Sequence, residues 1–255
     1  MKMAVRRLEG KNALVTGAAR RIGRAIALAL AREGAHVAVH YENSEKEATE
    51  LVAEIEGLGV RAVALRADLA DRDALEGLLE RAREALGTIE ILINNASIFP
   101  SDSLETVELE SIERNLEINA WAPLALTRAF AAQTERGHIV NLIDSRVGGF
   151  DRAHVAYILS KHVLAALTRI TALELAPGIA VNGIAPGLIL PPPGKDEGYV
   201  DRLAATVPLQ RRGTPEDIAA AAVYLVTSGF VAGEVIYVDG GRHLKEYSAH
   251  GPDRH

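Results

Sequence analysis

Short apolar runs alternate with amphipathic stretches along nearly the whole chain, and this alternation constrains the fold more than any other feature. The apolar runs are continuous, which is typical of strands buried on both faces of a parallel sheet. Parallel strands are joined by crossover helices, and the amphipathic stretches have the period of such helices. The pattern therefore predicts an α/β fold with a doubly wound parallel sheet, helices on both faces and right-handed crossovers.

No linker divides the pattern, so residues 1–255 are expected to form a single domain. Strands are predicted at Asn12–Thr16, His36–Tyr41, Arg61–Arg66, Ile89–Asn94, His138–Ile143, Ala180–Ala185 and Val235–Asp239. Helices are predicted at Arg21–Glu33, Glu45–Leu58, Arg72–Leu86, Ser111–Thr134, Val155–Leu175 and Pro215–Thr227. The proline-rich stretch Pro186–Thr206 is predicted to be an irregular insertion that acts as a lid. The polar tail Lys245–His255 is predicted to fray.

Charge and composition exclude several classes of function. The net charge of −6 provides no basic field for nucleic acid or an anionic membrane. The absence of cysteine excludes disulfides and thiolate catalysis, and the scattered histidines lack metal-ligand spacing, so no metal is predicted. The longest apolar run, Ala219–Val226, is too short to span a membrane, and the start of the sequence lacks the apolar stretch of a signal peptide. A cytoplasmic location is therefore expected.

The segment Thr16–Gly23 follows the first predicted strand and opens the first helix. Gly17 permits a tight turn, and the small residues after it let the backbone approach a pyrophosphate. The N-terminus of the following helix offers free N–H groups and the positive end of a dipole. The glycines are wider apart than in G-x-G-x-x-G, and Arg21 stands where a middle glycine is expected. In its place after the first strand, this turn predicts a nucleotide site.

Tyr157 and Lys161 are four residues apart in a predicted helix, so that their side chains share one face. The lysine cation favours the phenolate and makes Tyr157 a usable proton donor or acceptor near neutral pH. Asp144 precedes Tyr157 by 13 residues and follows the apolar run Ile139–Ile143, which places it at a strand end. These three residues predict an acid–base site at the edge of the sheet.

Several short motifs are spread over nearly the full length of the chain: Thr16-Gly17-x-x-x-x-x-Gly23, Asp68-Leu69, Asn94-Asn95-Ala96, Asn119, Tyr157-x-x-x-Lys161, Pro186-Gly187 and Asp239-Gly240-Gly241. With these motifs the chain resembles the short-chain dehydrogenase/reductase family. The resemblance implies a Rossmann-like sheet of about seven strands and hydride transfer with a nicotinamide dinucleotide.

The resemblance also implies roles for individual residues. Asn119 would join Tyr157 and Lys161 in a proton relay. Asp68 would approach the adenine, Asn95 the adenosine ribose, and Pro186-Gly187 the nicotinamide. The cofactor-binding residues expected in this way are Gly17, Arg20, Arg21, Ile22, Gly23, His40, Tyr41, Ser44, Asp68, Leu69, Asn95, Ala96, Ser97, Tyr157, Lys161, Pro186 and Gly187.

Three departures from most family members are similar to the pteridine reductases and bacterial dihydromonapterin reductases. Arg21 lies in the glycine-rich turn, and Ser97 and Phe99 follow Asn-Asn-Ala where most members continue with glycine. Asp144 stands where most members have a catalytic serine. A carboxylate there would repel the alkoxide that develops when a ketone is reduced, so ordinary carbonyl reduction loses an electrophilic partner.

This narrower resemblance implies reduction of the C=N bond of a dihydropterin, such as dihydromonapterin, dihydrobiopterin or dihydrofolate. Phe99 would stack on one face of the pterin, and Ser97 and Arg21 would hydrogen-bond the pterin edge and the cofactor phosphates. Asp144 would either orient Tyr157 as a carboxylate or share a proton with it. The residues expected to contact substrate are Arg21, Ser97, Phe99, Asp144, Tyr157 and Leu188.

NADPH is favoured over NADH as the cofactor. Arg20 can pair with a 2′-phosphate, Tyr41 occupies the selecting position at the end of the second strand, and His40 and Ser44 could assist. Glu42 counts against this choice, because it lies near the position at which an acid binds the ribose 2′-hydroxyl of NAD.

Two other functions stay open on the sequence. One is a 3-oxoacyl or general ketone reductase of the same fold, against which Asp144 argues. The other is a non-catalytic dinucleotide-binding protein, against which the intact Asn119, Tyr157 and Lys161 set argues. The resemblance also implies a homotetramer, built through the Ser111–Thr134 and Val155–Leu175 helices and the C-terminal strand. In some relatives the C-terminus reaches a neighbouring active site, as Arg242 and His243 could do here.

Overall fold

A computed structural model describes residues 6–149, 152–191, 194 and 196–246. Seven parallel strands form one sheet in the order β3-β2-β1-β4-β5-β6-β7. The strands are β1 (Asn12–Val15), β2 (His36–Tyr41), β3 (Ala62–Arg66), β4 (Ile91–Asn94), β5 (Gly137–Leu142), β6 (Ile179–Pro186) and β7 (Val235–Val238). The helices are α1 (Arg21–Arg32), α2 (Glu45–Glu56), α3 (Arg72–Leu86), α4 (Leu109–Leu116), α5 (Ala122–Gln133), α6 (Val155–Glu174), α7 (Glu197–Ala204), α8 (Pro215–Thr227) and α9 (Arg242–Glu246). The predicted doubly wound α/β fold is confirmed.

The core has two layers, one on each face of the sheet. Successive residues of β1 alternate between them: Ala13 and Val15 pack with α1, α2 and α8, whereas Leu14 packs with α3 and α5. All four residues of β1 are buried, as are all four of β4, which explains why both strands are continuously apolar in sequence.

The strand order reverses between β1 and β4. The chain runs outward from β1 to β2 and β3, then crosses back so that β4 pairs with the other side of β1. The loops after β1 and β4 therefore leave the sheet in opposite directions and open a crevice at the carboxyl ends of the strands. Open α/β sheets bind their ligands in such a crevice.

The helix predicted at Ser111–Thr134 is interrupted. Between α4 and α5, residues Glu117–Trp121 form a π-helical turn, in which the N–H of Ala122 bonds to the carbonyl of Glu117 five residues back. Pro123 follows at the start of α5 and has no N–H to give to the carbonyl of Asn119 four residues earlier. A single π turn inside a helix is frequently found at functional sites.

Two predicted boundaries near the C-terminus are also corrected. The insertion Pro186–Thr206 is not irregular throughout: Pro186 ends β6, and α7 occupies Glu197–Ala204, with Val200 buried on a small apolar cluster. The predicted fraying tail begins too early, because Lys245 and Glu246 belong to α9. Residues 247–255 of that tail lie outside the described residues.

Candidate active site

A cavity of about 640 Å³ opens at the carboxyl ends of the strands, within the usual size range of small-molecule sites. Every residue that the sequence analysis predicted to bind cofactor or substrate lines it, and so do three of the four predicted catalytic residues. The exception is Asn119, which is fully buried behind the cavity wall. The fold thus gathers predicted residues from the ends of six strands, β1 to β6, into one site.

The glycine-rich turn is shaped to admit a phosphate group. Gly17 has a φ of 60°, a left-handed conformation that favours glycine. A Cβ on Gly23 would lie 2.4 Å from the carbonyl oxygen of Gly17 and 2.6 Å from Nδ2 of Asn95. Only glycine therefore lets the first turn of α1 approach the strand end this closely, with its N–H groups directed at the cavity.

Buried hydrogen bonds hold this turn in place. The side chain of Asn95 donates to the carbonyl oxygens of Thr16 (2.8 Å) and Gly17 (3.1 Å). In return, Oγ1 of Thr16 accepts from the backbone N–H groups of Asn95 (2.9 Å) and Ala96 (3.0 Å). Asn95, expected to bind the adenosine ribose, thus also fastens the loop after β4 to the loop after β1.

His40 has a structural role that was not predicted. Its Nδ1 accepts from the N–H of Gly17 at 3.0 Å, and its Nε2 lies 3.2 Å from the carbonyl oxygen of Ala67. Burial lowers the pKa of His40 to about 4, so the ring is neutral at physiological pH. A neutral ring with both nitrogens engaged supports the glycine-rich turn and adds no charge for a 2′-phosphate.

The far end of the cavity, next to the residues after β2, carries the two charges that bear on the choice between NADPH and NADH: those of Arg20 and Glu42. Arg20 is largely exposed and pairs with Glu47 at 3.6 Å, while Glu42 and Ser44 line the same end. Asn43 lines it too and was not predicted. On the opposite side of this end, Asp68 accepts from the N–H of Ala70 at 2.9 Å, which fixes the turn after β3.

The predicted acid–base pair is formed. Tyr157 donates its hydroxyl to Oδ2 of Asp144 at 2.9 Å. Oδ1 of Asp144 accepts from the backbone N–H of Arg146 at 2.9 Å, and Nε of the same arginine lies 3.5 Å away. Asp144 sits at the start of a 3₁₀ turn, Ser145–Gly148, directly beyond β5. With a cation and a backbone donor on Oδ1, the arrangement fits a carboxylate that accepts from Tyr157.

Lys161 lies beneath this pair. Its ammonium donates to the carbonyl oxygen of Leu142 at 2.8 Å and is 5.6 Å from the centre of the Tyr157 ring. Burial lowers the pKa of Lys161 to about 8, and the charge of Asp144 opposes that shift. The lysine is thus a cation held close to the tyrosine at neutral pH, as the sequence predicts.

Asn119, in the π turn, forms hydrogen bonds through both the oxygen and the nitrogen of its side-chain amide. Its Oδ1 accepts from Oγ of Ser97 (3.0 Å) and from the N–H of Ile98 (2.9 Å). Its Nδ2 is within 3.2 Å of the carbonyl of Ile98, Oδ1 of Asn115 and Oγ of Ser160. The side chain does not reach the cavity. It positions Ser97 and the loop after β4, and its part in a proton relay stays a prediction.

Phe99 forms an aromatic wall beside Tyr157. It contacts the tyrosine edge-on, with ring centres 4.6 Å apart, and stacks on His154 at 4.1 Å. The guanidinium of Arg146 is 5.0 Å from the Phe99 ring centre and 3.4 Å from Nδ1 of His154. Because Arg146 and His154 contact each other, both approach the same face of the Phe99 ring. A ligand that stacks on Phe99, as predicted, would therefore use the opposite face of the ring.

The substrate side of the cavity is closed by the segment after β6. Leu188, Val200 and Leu203 line it, so both the loop and α7 contribute to the predicted lid. Arg21 reaches this segment by donating to the carbonyl of Pro191 at 2.8 Å, and its φ of 57° is left-handed. Arg21 therefore joins the glycine-rich turn to the lid.

The C-terminal helix α9 completes this side from within the same chain. Arg242 lines the cavity, and His243 pairs with the buried carboxylate of Asp239 at 2.9 Å. The His243 ring also stacks on Tyr237 at 4.0 Å, and its Cβ lies close to Gly148 of the 3₁₀ turn. Arg242 and His243 thus contact this chain's own cavity and its walls, and their reach to a neighbouring site stays a prediction.

Arg146 and His154 were the main residues missed by the sequence analysis. One signal was available, since Arg146 lies two residues after Asp144 at a predicted strand end, where charged side chains are often functional. No pattern marks His154, whose ring reaches Phe99 only because the chain turns into α6 there. Among the described residues, no cluster of metal ligands is found and no helix is long and apolar enough to cross a membrane.

Comparisons with known proteins agree with this geometry. A family model described as enoyl-(acyl carrier protein) reductase, of the short-chain dehydrogenase type, matches residues 17–243. An L-rhamnose 1-dehydrogenase (NAD(P)(+)) from Sphingomonas sp. is 36% identical, over 93% of this chain and 98% of its own. The 3-oxoacyl-[acyl-carrier-protein] reductase FabG of Staphylococcus aureus is 33% identical, over 92% and 98%.

Similar solved structures include the FolM alternative dihydrofolate reductase 1 from Brucella canis, complexed with NADP. It superposes with a TM-score of 0.91 and 32% sequence identity, covering 99% of this chain and 100% of that one. The matched model spans most of the chain, and the relatives are aligned nearly end to end. The chain therefore belongs to the short-chain dehydrogenase/reductase family.

Proposed function

We propose that this protein is an NADPH-dependent reductase of the C=N bond of a dihydropterin. The observation that carries the proposal is the 2.9 Å hydrogen bond between Tyr157 and Asp144 beside the aromatic wall of Phe99. A carboxylate bonded to the proton donor suits a substrate whose ring nitrogen needs a proton. It does not suit a substrate whose oxygen becomes an alkoxide. The likeness to the Brucella canis FolM reductase supports the same reading.

The glycine-rich turn and the residues after β2, here called the cofactor half of the cavity, fit NADPH. The close approach of Gly23 and the N-terminus of α1 form a cradle that a pyrophosphate would fill. At the far end, Arg20 and Ser44 can contact a 2′-phosphate, and the Brucella canis structure contains NADP. Glu42 lines that end as well and disfavours the phosphate, so Arg20 must outweigh it. Higher efficiency with NADH than with NADPH would overturn this choice.

The chain's own groups supply orientation and the proton. When bound, NADPH supplies a hydride from C4 of its nicotinamide to the imine carbon of the substrate. Phe99 offers its open face to the pterin ring, and Tyr157 gives its hydroxyl proton to the ring nitrogen. The resulting phenolate is balanced by the buried Lys161 and is reprotonated from solvent. In sum, a dihydropterin, NADPH and one proton give a tetrahydropterin and NADP⁺.

A ketone reductase of the same fold is the second candidate. The 36% and 33% identities to a rhamnose dehydrogenase and to FabG favour it, because both relatives are aligned over nearly the whole chain. Asp144 argues against it, since its carboxylate would face the developing alkoxide at the position that should stabilise it. A non-catalytic role is disfavoured by the intact Tyr157 and Lys161 geometry.

We also propose that the chain assembles as a homotetramer. Helix α6 exposes Leu159, Val163, Ile170 and Leu173 along its outer side, and Trp121 is exposed at the start of α5. Apolar side chains spaced in this way along one helix indicate a contact surface. Light scattering that gave a monomer at micromolar concentration would contradict the assembly without affecting the proposed reaction.

The experiment that tests the function measures NADPH oxidation with dihydrofolate, a dihydropterin and an acetoacetyl thioester in parallel. The proposal predicts turnover of the pterin substrates and little or none of the thioester. Turnover of the thioester alone would mean that an aspartate is tolerated in ketone reduction, and the substrate argument would fail. The variant Tyr157→Phe serves as the control for non-enzymatic oxidation.

A further inference from the structure

One side chain outside the family motifs touches several groups on the substrate side of the cavity. Arg146 contacts Asp144 twice: its backbone N–H donates a hydrogen bond at 2.9 Å, and its Nε forms an ion pair at 3.5 Å. Its guanidinium also lies against Phe99 and within 3.4 Å of His154. The side chain is only 19% exposed, and that of Asp144 is 15% exposed, so water screens their interaction weakly.

The two carboxylate oxygens of Asp144 therefore have different hydrogen-bond partners. Arg146 holds Oδ1, which leaves Oδ2 to accept the hydroxyl of Tyr157. Rotation of the carboxylate away from the tyrosine would break both contacts with Arg146. The backbone contact alone would allow more freedom, because a single hydrogen bond does not fix the plane of a carboxylate.

The charges around this pair also have to balance during the reaction. When Tyr157 gives up its proton, its phenolate lies 2.9 Å from a carboxylate, and like charges at that distance repel strongly in a partly buried site. Two nearby cations, Arg146 and Lys161, match the two anions. Of the other titratable or charged groups on this side, His154 before α6 contacts Arg146, Arg242 of α9 lines the same cavity, and His243 of α9 pairs with Asp239.

We propose that Arg146 is a positioning residue for the proton-donating pair. It fixes Oδ1 of Asp144, keeps Oδ2 on Tyr157, and offsets the negative charge that Tyr157 acquires when it donates its proton. The catalytic consequence rests on the proposed function, but the effect on Tyr157 is a property of the protein without substrate. Both can therefore be measured separately.

The test compares Arg146→Met, which keeps the length of the side chain and removes its charge, with Arg146→Lys, which keeps the charge. Arg136→Met is the matched control, since Arg136 is exposed at the opposite end of the sheet, just before β5. Each protein is characterised by NADPH affinity, by kcat and KM across pH, and by the ultraviolet absorbance of tyrosinate, with the matching Tyr157→Phe variant subtracted.

Arg146→Met is expected to lower kcat by about 10- to 100-fold, as misplacement of a reacting group does, with NADPH affinity unchanged. Without the arginine cation, the Asp144–Tyr157 pair holds the tyrosine proton more tightly. The ionisation of Tyr157 and the alkaline limb of the kcat/KM profile should therefore both move to higher pH. Arg146→Lys should restore most of the pH profile, and Arg136→Met should match the wild type.

An unmoved tyrosinate titration in Arg146→Met would overturn the proposal, whatever the activity. So would a defect confined to KM, which would make Arg146 only part of the substrate wall. If Arg146→Met does not fold, Arg146→Gln is measured in its place under the same criteria. Absence of pterin turnover in the wild type would refute the proposed function, while the titration would still decide the role of Arg146.

Discussion

The two halves of the cavity are built by different means. The cofactor half is held by backbone groups and by neutral side chains, the buried Thr16 and His40 and the partly buried Asn95, which connect the ends of neighbouring strands. The substrate half is built from side chains on several separate elements: the 3₁₀ turn that carries Arg146, helix α6 that carries Tyr157, the lid and α9. The first half is therefore fixed by the sheet, and the second can change its chemistry without disturbing the fold.

This difference predicts that substitutions in the two halves have separate effects. A change in the substrate half should alter turnover and leave cofactor affinity intact. A change in the cofactor half should weaken NADPH binding for every substrate. Functional sites carried on a rigid scaffold commonly show this division.

The largest effect is expected in the substrate half, for Tyr157→Phe. This change removes the hydroxyl that bonds to Asp144 while keeping the ring against Phe99. Turnover should fall by about 10²- to 10⁴-fold, the usual contribution of a positioned acid. NADPH affinity, measured by quenching of protein fluorescence, should stay within about twofold of the wild type. A comparable loss of NADPH affinity would mean that the halves are not independent.

The next effect concerns stability in acid and involves His40 of the cofactor half. Burial lowers the pKa of His40 to about 4 in the folded chain, against 6.5 for the unfolded reference. Between these values the unfolded chain binds the extra proton, so the free energy of unfolding falls as pH falls through this window, by about 3 kcal/mol in total. The stabilisation is fully present above about pH 6.5.

Urea unfolding of the wild type and of His40→Gln across that window checks this expectation. The variant cannot titrate at this position, so its stability should fall less steeply with acid, even if its stability at neutral pH is lower. Parallel curves for the two proteins would show that His40 is not the group responsible. Other histidines and the carboxylates titrate equally in both proteins and cancel in the comparison.

Gly23→Ala should weaken the cofactor half with little effect on the fold. The new Cβ would lie 2.4 Å from the carbonyl oxygen of Gly17, so the turn must open. A strain of about 1–3 kcal/mol corresponds to roughly 5- to 150-fold weaker NADPH binding. Gly77→Ala is the matched control, because nothing lies within 4 Å of a Cβ at that helical position. Equal affinity of the two variants for NADPH would show that the close approach at Gly23 is not needed to bind the pyrophosphate.

The smallest effect is expected at the contact between the two halves, Arg21. Arg21→Ala removes the hydrogen bond to Pro191 and keeps a side chain at a φ of 57°, whereas Arg21→Gly relieves that conformation. The glycine variant should therefore be the more stable by about 1 kcal/mol, opposite to the order in an ordinary helix. Both should raise the pterin KM by about two- to tenfold through a looser lid. The melting temperatures and KM values provide the check.

The sequence predicted the fold and many residues that line the cavity, and it did so for physical reasons. Buried parallel strands are continuously apolar, and a glycine such as Gly23 marks a close approach that no other residue permits. Tyr157 and Lys161 were found because helical spacing puts them on one face. Such features can be predicted from the spacing of residues along a single strand or helix.

Features that depend on contacts between elements were not predictable. The π turn at Asn119 depends on a buried amide whose partners come from three segments. The stack of His154 on Phe99 joins residues far apart in sequence. The engagement of both His40 nitrogens could not be read from its place in a strand, and its assistance to a 2′-phosphate stays a prediction.

We propose that Asp144 adapts the site to a C=N substrate, and the variant Asp144→Ser isolates its effect on substrate choice. Serine is the residue most family members have there, and it can still accept a hydrogen bond from Tyr157. The measurement is the ratio of kcat/KM for a dihydropterin to that for an acetoacetyl thioester, in wild type and variant. The account predicts that the ratio falls by about tenfold or more in the variant, with NADPH affinity unchanged. Pterin turnover equal to that of the wild type would contradict it.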